Sequence, residues 1–179
     1  MEIEFFQSGR LIYRPYCMDD LQTVHNQFNE PSRRRWFYFQ EPDCLTLDFA
    51  KNEIIKRAGV CSHKINLLND DFGLGIVLKA TGELIGFLGL SKFHGPEEEL
   101  ENIELGYHIG EAYQGKGYAT EAVKTAVQWG LSELKLLDAE PKIVAKIEHD
   151  NQPSRRVVEK AGLIFVRAER YVSVYEING

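Results

Sequence analysis

The sequence predicts one mixed α/β domain over residues 1–179, with a mostly antiparallel sheet of about seven strands flanked by about four helices. Three observations carry that expectation. Two apolar runs, 72–79 and 83–93, are joined by the turn-forming Ala80-Thr81-Gly82, and a third run, 101–109, follows. Short runs in such succession make an antiparallel meander. Residues 117–135 then carry Ala119, Ala122, Val123, Ala126, Val127, Gly130 and Leu134 at three- and four-residue spacing, the stripe of a helix that buries one face. From 142 to 148 the period returns to two, with Ile143, Ala145 and Ile147 alternating with Val144, Lys146 and Glu148.

Taken in order, Arg10–Tyr16 reads as the first strand, ended by Pro15 and the helix-start signal Asp19-Asp20. Residues 19–28 form a short helix with Leu21, Val24 and Phe28 on one face. Pro31 and Pro42 make 29–44 an irregular connection, and a long loop in a compact domain is often functional. It holds the cluster Arg33-Arg34-Arg35-Trp36-Phe37-Tyr38-Phe39. Basic and aromatic residues together admit a nucleic-acid strip, but a lid whose aromatics pack inward is the preferred reading. A second helix covers 45–58 and stops at Gly59, and 59–71 is polar without a clear period. Gly95-Pro96 turns the chain, and Glu97-Glu98-Glu99 reads as a solvated loop. Asn151 suits a helix cap, Pro153 its first turn and Gly162 its end. Strands 163–169 and 171–177 close the chain.

Composition narrows the function classes. The chain is 44% hydrophobic and 27% charged, and it has no apolar run near the roughly 20 residues that span a membrane. Its N-terminus lacks a signal peptide's basic start and cleavage site. Cys17, Cys44 and Cys61 have no Cys-x-x-Cys spacing, so reduced thiols in a cytoplasmic protein are expected. A net charge of −6 argues against nucleic acid as a partner and suits a cationic acceptor. No metal site is expected, because His108 and His149 lack a third ligand.

The most informative stretch runs from Ile103 to Ala122. A strand enters a turn with glycines at 110, 115 and 117, and the turn opens directly into the long helix. Glycines let backbone amides approach a ligand, and the first helical turn leaves N–H groups unpaired. Together they form a phosphate cradle. Gly110-Glu-Ala-Tyr-Gln-Gly115-Lys116 matches the first seven positions of a nucleotide-binding P-loop, but the eighth is Gly117 where a hydroxyl must hold magnesium. An ATP-binding module is thereby disfavoured.

Gln114-x-x-Gly117-x-Ala119 resembles the Gln/Arg-x-x-Gly-x-Gly/Ala signature of the GNAT acyl-CoA N-acyltransferases. Glu104-Leu-Gly-Tyr-x-Ile-Gly, Gly117-Tyr-Ala-Thr-Glu-Ala and Asn151-x-x-Ser154-x-x-Val-x-Glu159-Lys160-x-Gly162 look like its RimJ/RimL branch, as does Gly9-Arg10-Leu11-Ile12-Tyr13-Arg14-Pro15. The resemblance covers most of 9–177 and is weakest over 29–71. It implies acetyl-CoA as co-substrate, its pyrophosphate held by the backbone of Gln114, Gly115, Lys116, Gly117, Tyr118 and Ala119. The strand around His108 and Ile109 would pair with the pantetheine arm, and Asn151 would add a contact. An amine of unassigned identity, a protein N-terminus or a small molecule, would attack the thioester directly through a tetrahedral intermediate.

Glu104 is the candidate base, because a carboxyl between Ile103 and Leu105 can be raised toward neutrality by burial. An orienting role is the alternative. A backbone N–H near Ile109 is the expected oxyanion donor. Many family members protonate the thiolate with a tyrosine on the last helix, but the matching residue here is Val158. Ser154 is the candidate in its place, with a helix-turn hydroxyl as the competing reading. A non-catalytic acyl-CoA sensor remains the second function, and the chain is compatible with a monomer or a homodimer.

Overall fold

The computed structural model describes residues 6–36, 46–61, 65–92 and 103–179. These fold into one eight-stranded sheet: β1 (Phe6–Gln7), β2 (Leu11–Arg14), β3 (Phe72–Leu78), β4 (Leu84–Lys92), β5 (Ile103–Ile109), β6 (Lys142–Glu148), β7 (Ile164–Ala168) and β8 (Val172–Asn178). The spatial order is β1-β2-β3-β4-β5-β6-β8-β7. Every neighbouring pair is antiparallel except β5 and β6, which run parallel. Five helices flank the sheet: α1 (Leu21–Asn29), α2 (Pro31–Trp36), α3 (Leu47–Val60), α4 (Tyr118–Leu136) and α5 (Gln152–Lys160).

The mixed, mostly antiparallel architecture is the expected one, with one strand and one helix more than the sequence predicts. β1 is two residues long, too short for any period to register. Its Phe6 ring lies 4.7 Å from Tyr13 and 5.3 Å from Trp129, so tertiary packing sets it in place. α2 corrects the expectation of an irregular connection from 29 onward. Pro31 opens this helix, where a missing N–H costs nothing. Arg33 is buried with its guanidinium 3.9 Å from the Phe28 ring centre. The rest of the expected loop, 37–44, and the turn at 95–99 lie outside the described residues.

The helices divide between the two faces. Of the predicted α4 stripe, Ala122, Val123, Ala126, Val127, Gly130 and Leu134 are buried, while Ala119 is half-buried at the helix start. It packs with Leu90, Ile103, Leu105 and Ile143. A Cβ on Gly130 would stand 2.7 Å from Leu90 Cδ1 and 2.9 Å from Ile143 Cδ1, so α4 lies directly on the sheet there. On the other face, Val24, Phe28, Ala50 and Ile54 of α1 and α3 pack with Tyr16, Val77, Leu84 and Phe87.

The parallel pair is joined only at Ile103–Ile143 and Glu104–Val144. Past that point β5 stays with β4 as far as Ile109–Gly86, while β6 stays with β8 as far as Glu148–Val172. The sheet therefore opens into a wedge between the last residues of β5 and β6.

A buried ion pair fixes how the chain leaves β2 for α1. Arg14 donates to Asp20 through Nη1 (2.6 Å) and Nη2 (2.8 Å), and the Cys17 N–H donates to the same carboxylate at 2.9 Å. Both side chains are less than 10% exposed. Burial works against the charged carboxylate. The Arg14 and Cys17 hydrogen bonds and the Arg14 charge outweigh it, and Asp20 is held below its ordinary 3.8.

Asp20→Ala is expected to destabilise the protein by about 3–5 kcal/mol, because it leaves the Arg14 charge buried without its partner. A folded-state pKa below the unfolded one makes this contribution complete above about pH 4 and lost as the pH falls further. Urea unfolding of wild type and variant at pH 7 and pH 3 checks both statements. The gap between them should narrow at the lower pH.

Candidate active site

The wedge between β5 and β6 opens onto a cavity of about 620 Å³. β5 contributes Tyr107, His108 and Ile109 to its wall; the turn and the first residues of α4 contribute Tyr113–Gly115 and Gly117–Thr120. Asn151 and the face of α5 that carries Pro153, Ser154, Arg156, Val157 and Lys160 close the far side, and Ser32 and Trp36 of α2 reach it as well. Of the site residues expected from sequence, all but Glu104 and Lys116 line this cavity.

The turn is built from backbone. After Gly110 comes a 3-10 turn at Glu111–Tyr113, an extended Gln114, then Gly115 at φ +75° and Gly117 at φ +81°. Gly117 caps α4 in the left-handed conformation and offers no side-chain acceptor. The first N–H to bond back within the helix is that of Glu121, to the Gly117 carbonyl at 3.1 Å. The N–H groups of Tyr118, Ala119 and Thr120 precede it and carry the partial positive charge of a helix start. A Cβ on Gly115 would meet nothing within 4 Å. Open space beside converging donors fits a diphosphate, and Arg156 and Lys160, four residues apart on α5, add cations at the same cavity.

Side chains brace the turn from behind. Gln114 Nε2 donates to the Ile109 carbonyl at 2.9 Å. Arg10 Nη1 donates to the Lys116 carbonyl at 3.0 Å. Glu121 in turn accepts from the Arg10 N–H, Arg10 Nε and Ser8 Oγ, each at 2.7 Å. Partial burial opposes the Glu121 charge, but these bonds prevail and lower its pKa. The Lys116 ammonium does not enter the cavity; its Nζ donates to the Ala112 carbonyl at 3.0 Å.

The strand edge is the second component. The Gly110 N–H donates to the Ile85 carbonyl at 2.8 Å, and on an extended strand successive residues direct their backbone groups to opposite sides. The Ile109 N–H and carbonyl therefore face away from β4, toward the wedge; the carbonyl is taken by Gln114, and the N–H can pair with an arm carrying amides. Tyr107 spans the wedge from β5 to α5, donating from its hydroxyl to the Ser154 carbonyl at 3.2 Å. Burial pushes its phenol up to about 12, only partly offset by hydrogen bonding at Ser154, so Tyr107 stays protonated.

Asn151 Oδ1 accepts from the Ser154 N–H at 3.2 Å, capping α5, and the residue also lines the cavity. Ser154 lines the cavity too, beside the Tyr107 phenol. Val158, at the position of the family's tyrosine, is fully buried in the core. Glu104 pairs with Ser91 on one side and Val144 on the other, at the closed end of the wedge. Sequence reasoning missed Tyr107, Trp36, Arg156 and Lys160 as lining residues. The spacing 153, 156, 157, 160 is one face of a helix and could have signalled the last two.

A mixed sheet split at one parallel pair, with a glycine-rich helix start at the opening, offers backbone donors that suit an extended phosphorylated ligand. The acetyltransferase (GNAT) domain family matches residues 10–164, and the chain belongs to that family. An uncharacterized N-acetyltransferase, p20 of Bacillus licheniformis, is 34% identical over 108 residues, 56% of this chain and 57% of that protein. The chain spans about half the length of the curated relatives it matches first, 57% and 49%. Two solved structures share the fold. The ribosomal-protein-S5-alanine acetyltransferase from Vibrio fischeri has a TM-score of 0.72 at 21% identity, over 97% of this chain and 95% of that one. The spermidine N-acetyltransferase from Vibrio cholerae, in complex with CoA and spermine, has a TM-score of 0.68 at 19% identity, over 94% of each chain. Among the described residues no helix is long and apolar enough to cross a membrane.

Gly117→Ala is expected to cost about 1–2 kcal/mol of stability, because it forces a Cβ into the left-handed region. Gly59 in α3 has nothing within 4 Å of a built Cβ, so Gly59→Ala should be neutral or stabilising by up to about 1 kcal/mol. Thermal melts of the two variants should move in opposite directions.

Proposed function

We propose that the protein is an N-acetyltransferase that moves an acetyl group from acetyl-CoA to a primary amine. The observation that carries this reading is the continuity of the cavity, whose wall runs from the helix-start cradle to Ile109 at the end of β5. Gly115 through Ala119 would hold the pyrophosphate by their N–H groups, with Arg156 and Lys160 neutralising charge; the Gln114 N–H, expected from sequence to join them, donates instead to the Glu111 carbonyl at 3.3 Å. The edge at Ile109 would pair with the pantetheine arm, while His108, expected from sequence to share in this, turns its backbone groups to β4; Asn151 would keep the α5 wall in position. When bound, acetyl-CoA supplies an acetyl group already activated as a thioester.

The chain's own contribution is largely positioning, which is a major source of rate for a two-reactant transfer. The Ile109 N–H is the donor for the charge that develops on the carbonyl oxygen. Ser154 is the proton donor to the departing sulfur, supported by its place on the cavity wall. The acceptor is a protein N-terminal α-amine or a small-molecule amine. The Asn151-x-x-Ser154 spacing favours the RimJ/RimL branch, and fold neighbours titled for ribosomal-protein and spermidine acetylation fit both acceptor types.

Calorimetry with acetyl-CoA and with Mg-ATP should give binding to the former alone. A thiol-release assay across peptides, polyamines and amino acids should give turnover with at least one amine; tight acetyl-CoA binding without turnover would instead favour a non-catalytic sensor. Gly117→Asp is expected to weaken acetyl-CoA binding at least tenfold, an order-of-magnitude figure for an anion set against a phosphate. Ser154→Ala should lower kcat by roughly tenfold or more while leaving the KM for acetyl-CoA within about twofold.

A further inference from the structure

Ser154 shares its end of the cavity with a second hydroxyl, which arrives from across the wedge. Leu88, the partner of Tyr107 across the β4–β5 ladder, belongs to the core that packs with α4. The Tyr107 ring therefore stands on the face that α4 and α5 cover. Its phenol crosses to the first turn of α5, where it donates to the Ser154 carbonyl at 3.2 Å and lies beside the Ser154 side chain. The other tyrosines on the cavity wall belong to the cradle. Arg10 lies 4.5 Å from the centre of the Tyr118 ring, and Lys116 Nζ lies 5.4 Å from that of Tyr113. Besides Ser154, α5 brings to the wall apolar Pro153 and Val157 and the cations Arg156 and Lys160.

A serine that gives its proton to sulfur is left as an alkoxide unless a second donor replaces that proton, and an anion in a partly buried wall is costly. Tyr107 is placed to replace it. Rotation about the phenolic C–O bond turns the O–H from the Ser154 carbonyl to the Ser154 hydroxyl oxygen, and a phenol is a far stronger acid than an aliphatic alcohol. Burial raises the Tyr107 pKa to about 12 against the opposing bond at Ser154, so the proton is in place at neutral pH. Arg156, Lys160, Tyr113 and Tyr118 share the cavity with the phenol, while His108 adjoins it on β5 but belongs to the opposite face, beside Phe87. Ser154 also lies in the first turn of α5, where the partial charge of a helix start favours an anion. Tyr107 and Ile109 are two residues apart, about 7 Å along β5. The donor for the carbonyl oxygen and the two hydroxyls therefore belong to one stretch of wall.

We propose that Tyr107 and Ser154 form a proton relay to the departing sulfur, Ser154 touching the sulfur and Tyr107 acting through it as a positioning residue; this rests on the acetyl-transfer reading above. The amine lone pair forms the N–C bond. The C–S bond breaks with its electron pair going to sulfur, and the Ser154 O–H proton passes to that sulfur to give the thiol. The Tyr107 O–H proton passes in turn to the Ser154 oxygen. The nitrogen sheds one proton to water, and water returns one to the Tyr107 phenolate. An amine and a thioester thus become an amide and a thiol, with both hydroxyls restored.

The first measurement requires no turnover. The thiol of bound CoA is titrated by its thiolate absorbance in wild type, Tyr107→Phe and Ser154→Ala. Donors at the sulfur stabilise the thiolate, so the thiol should ionise at the lowest pH in wild type and at higher pH in both variants. The second measurement is the rate of thiol release in a single turnover. Tyr107→Phe removes one oxygen and keeps the ring; it should slow release roughly tenfold or more while the affinity for CoA stays within about threefold. The double variant should release thiol within about twofold of Ser154→Ala alone, because members of one relay are not additive. A fluorinated tyrosine at position 107 keeps the hydroxyl and carries the test if Tyr107→Phe fails to fold. Turnover should then persist at neutral pH and decline in the alkaline range, where the more acidic phenol ionises, below the pH at which wild type declines. An unchanged thiol titration in Tyr107→Phe, losses that multiply in the double variant, or an alkaline profile indifferent to fluorination would overturn the relay and leave acetyl transfer standing. Absence of turnover with every amine would remove both.

Discussion

The site depends on the failure of two parallel strands to stay together. β5 and β6 share a ladder at Ile103–Ile143 and Glu104–Val144 and then part, each held by its antiparallel neighbour. A continuous ladder would consume the Ile109 N–H and carbonyl and leave no cavity. Two features hold the strands apart. α4 is pressed onto the joined end, where Gly130 allows contact with Leu90 and Ile143. At the open end, Tyr107 reaches from β5 to the Ser154 carbonyl of α5 and so spans the gap without closing it. Backbone polar groups are not left bare at a protein's interior without reason, and on the acetyl-transfer reading the cofactor's arm would complete the sheet here.

The cradle beside the wedge shows how a weakly specified turn becomes rigid. Its glycines contribute conformational freedom and no contacts, so the turn has little intrinsic preference for one shape. Arg10 provides the constraint, bound to the Lys116 carbonyl and to Glu121. Glu121 sits in the first turn of α4, where a carboxylate also favours the helix dipole. Its charge is engaged with Ser8 and Arg10, which keeps it from competing with a phosphate for the free N–H groups. The N-terminal strands thus shape a site more than a hundred residues away in sequence.

Much of this was legible in the sequence wherever a period or a backbone motif encodes the outcome. From Ala122 onward the α4 stripe is buried as its spacing predicts, and the turn from Gly110 to Gly117 does begin a helix at a left-handed glycine. Asn151 caps α5 as its place before Pro153 predicts, and it also lines the cavity. What was not legible has a common cause, which is dependence on tertiary contact. β1 exists because Phe6 finds Trp129. α2 exists where two prolines and three arginines suggested an irregular loop, because Arg33 is covered by Phe28. Glu104 reads as a base from its strand position and its apolar neighbours. Only the point at which β5 leaves β6 shows that it lies at the closed end of the wedge.

The two sides of the site are built from different materials, and that difference bears on specificity. The cofactor side consists mainly of backbone: the N–H groups of Tyr118 to Thr120, the edge at Ile109 and the glycines between them. Such a surface recognises a diphosphate and a chain of amides with little regard to side-chain identity. On the acetyl-transfer reading the acceptor side would be formed by side chains of α1 and α2, where Glu30 meets His108 and Ser32 and Trp36 line the same cavity. Bonds from Glu30 to the Glu111 N–H and from Glu111 to the Ser32 N–H couple these helices to the cofactor turn. A change in α1 or α2 therefore alters the amine's surroundings directly and reaches the cofactor only through that narrow link. Acceptor preference can diverge on such a scaffold while the cofactor site stays fixed, since its geometry is held from the opposite end by Arg10.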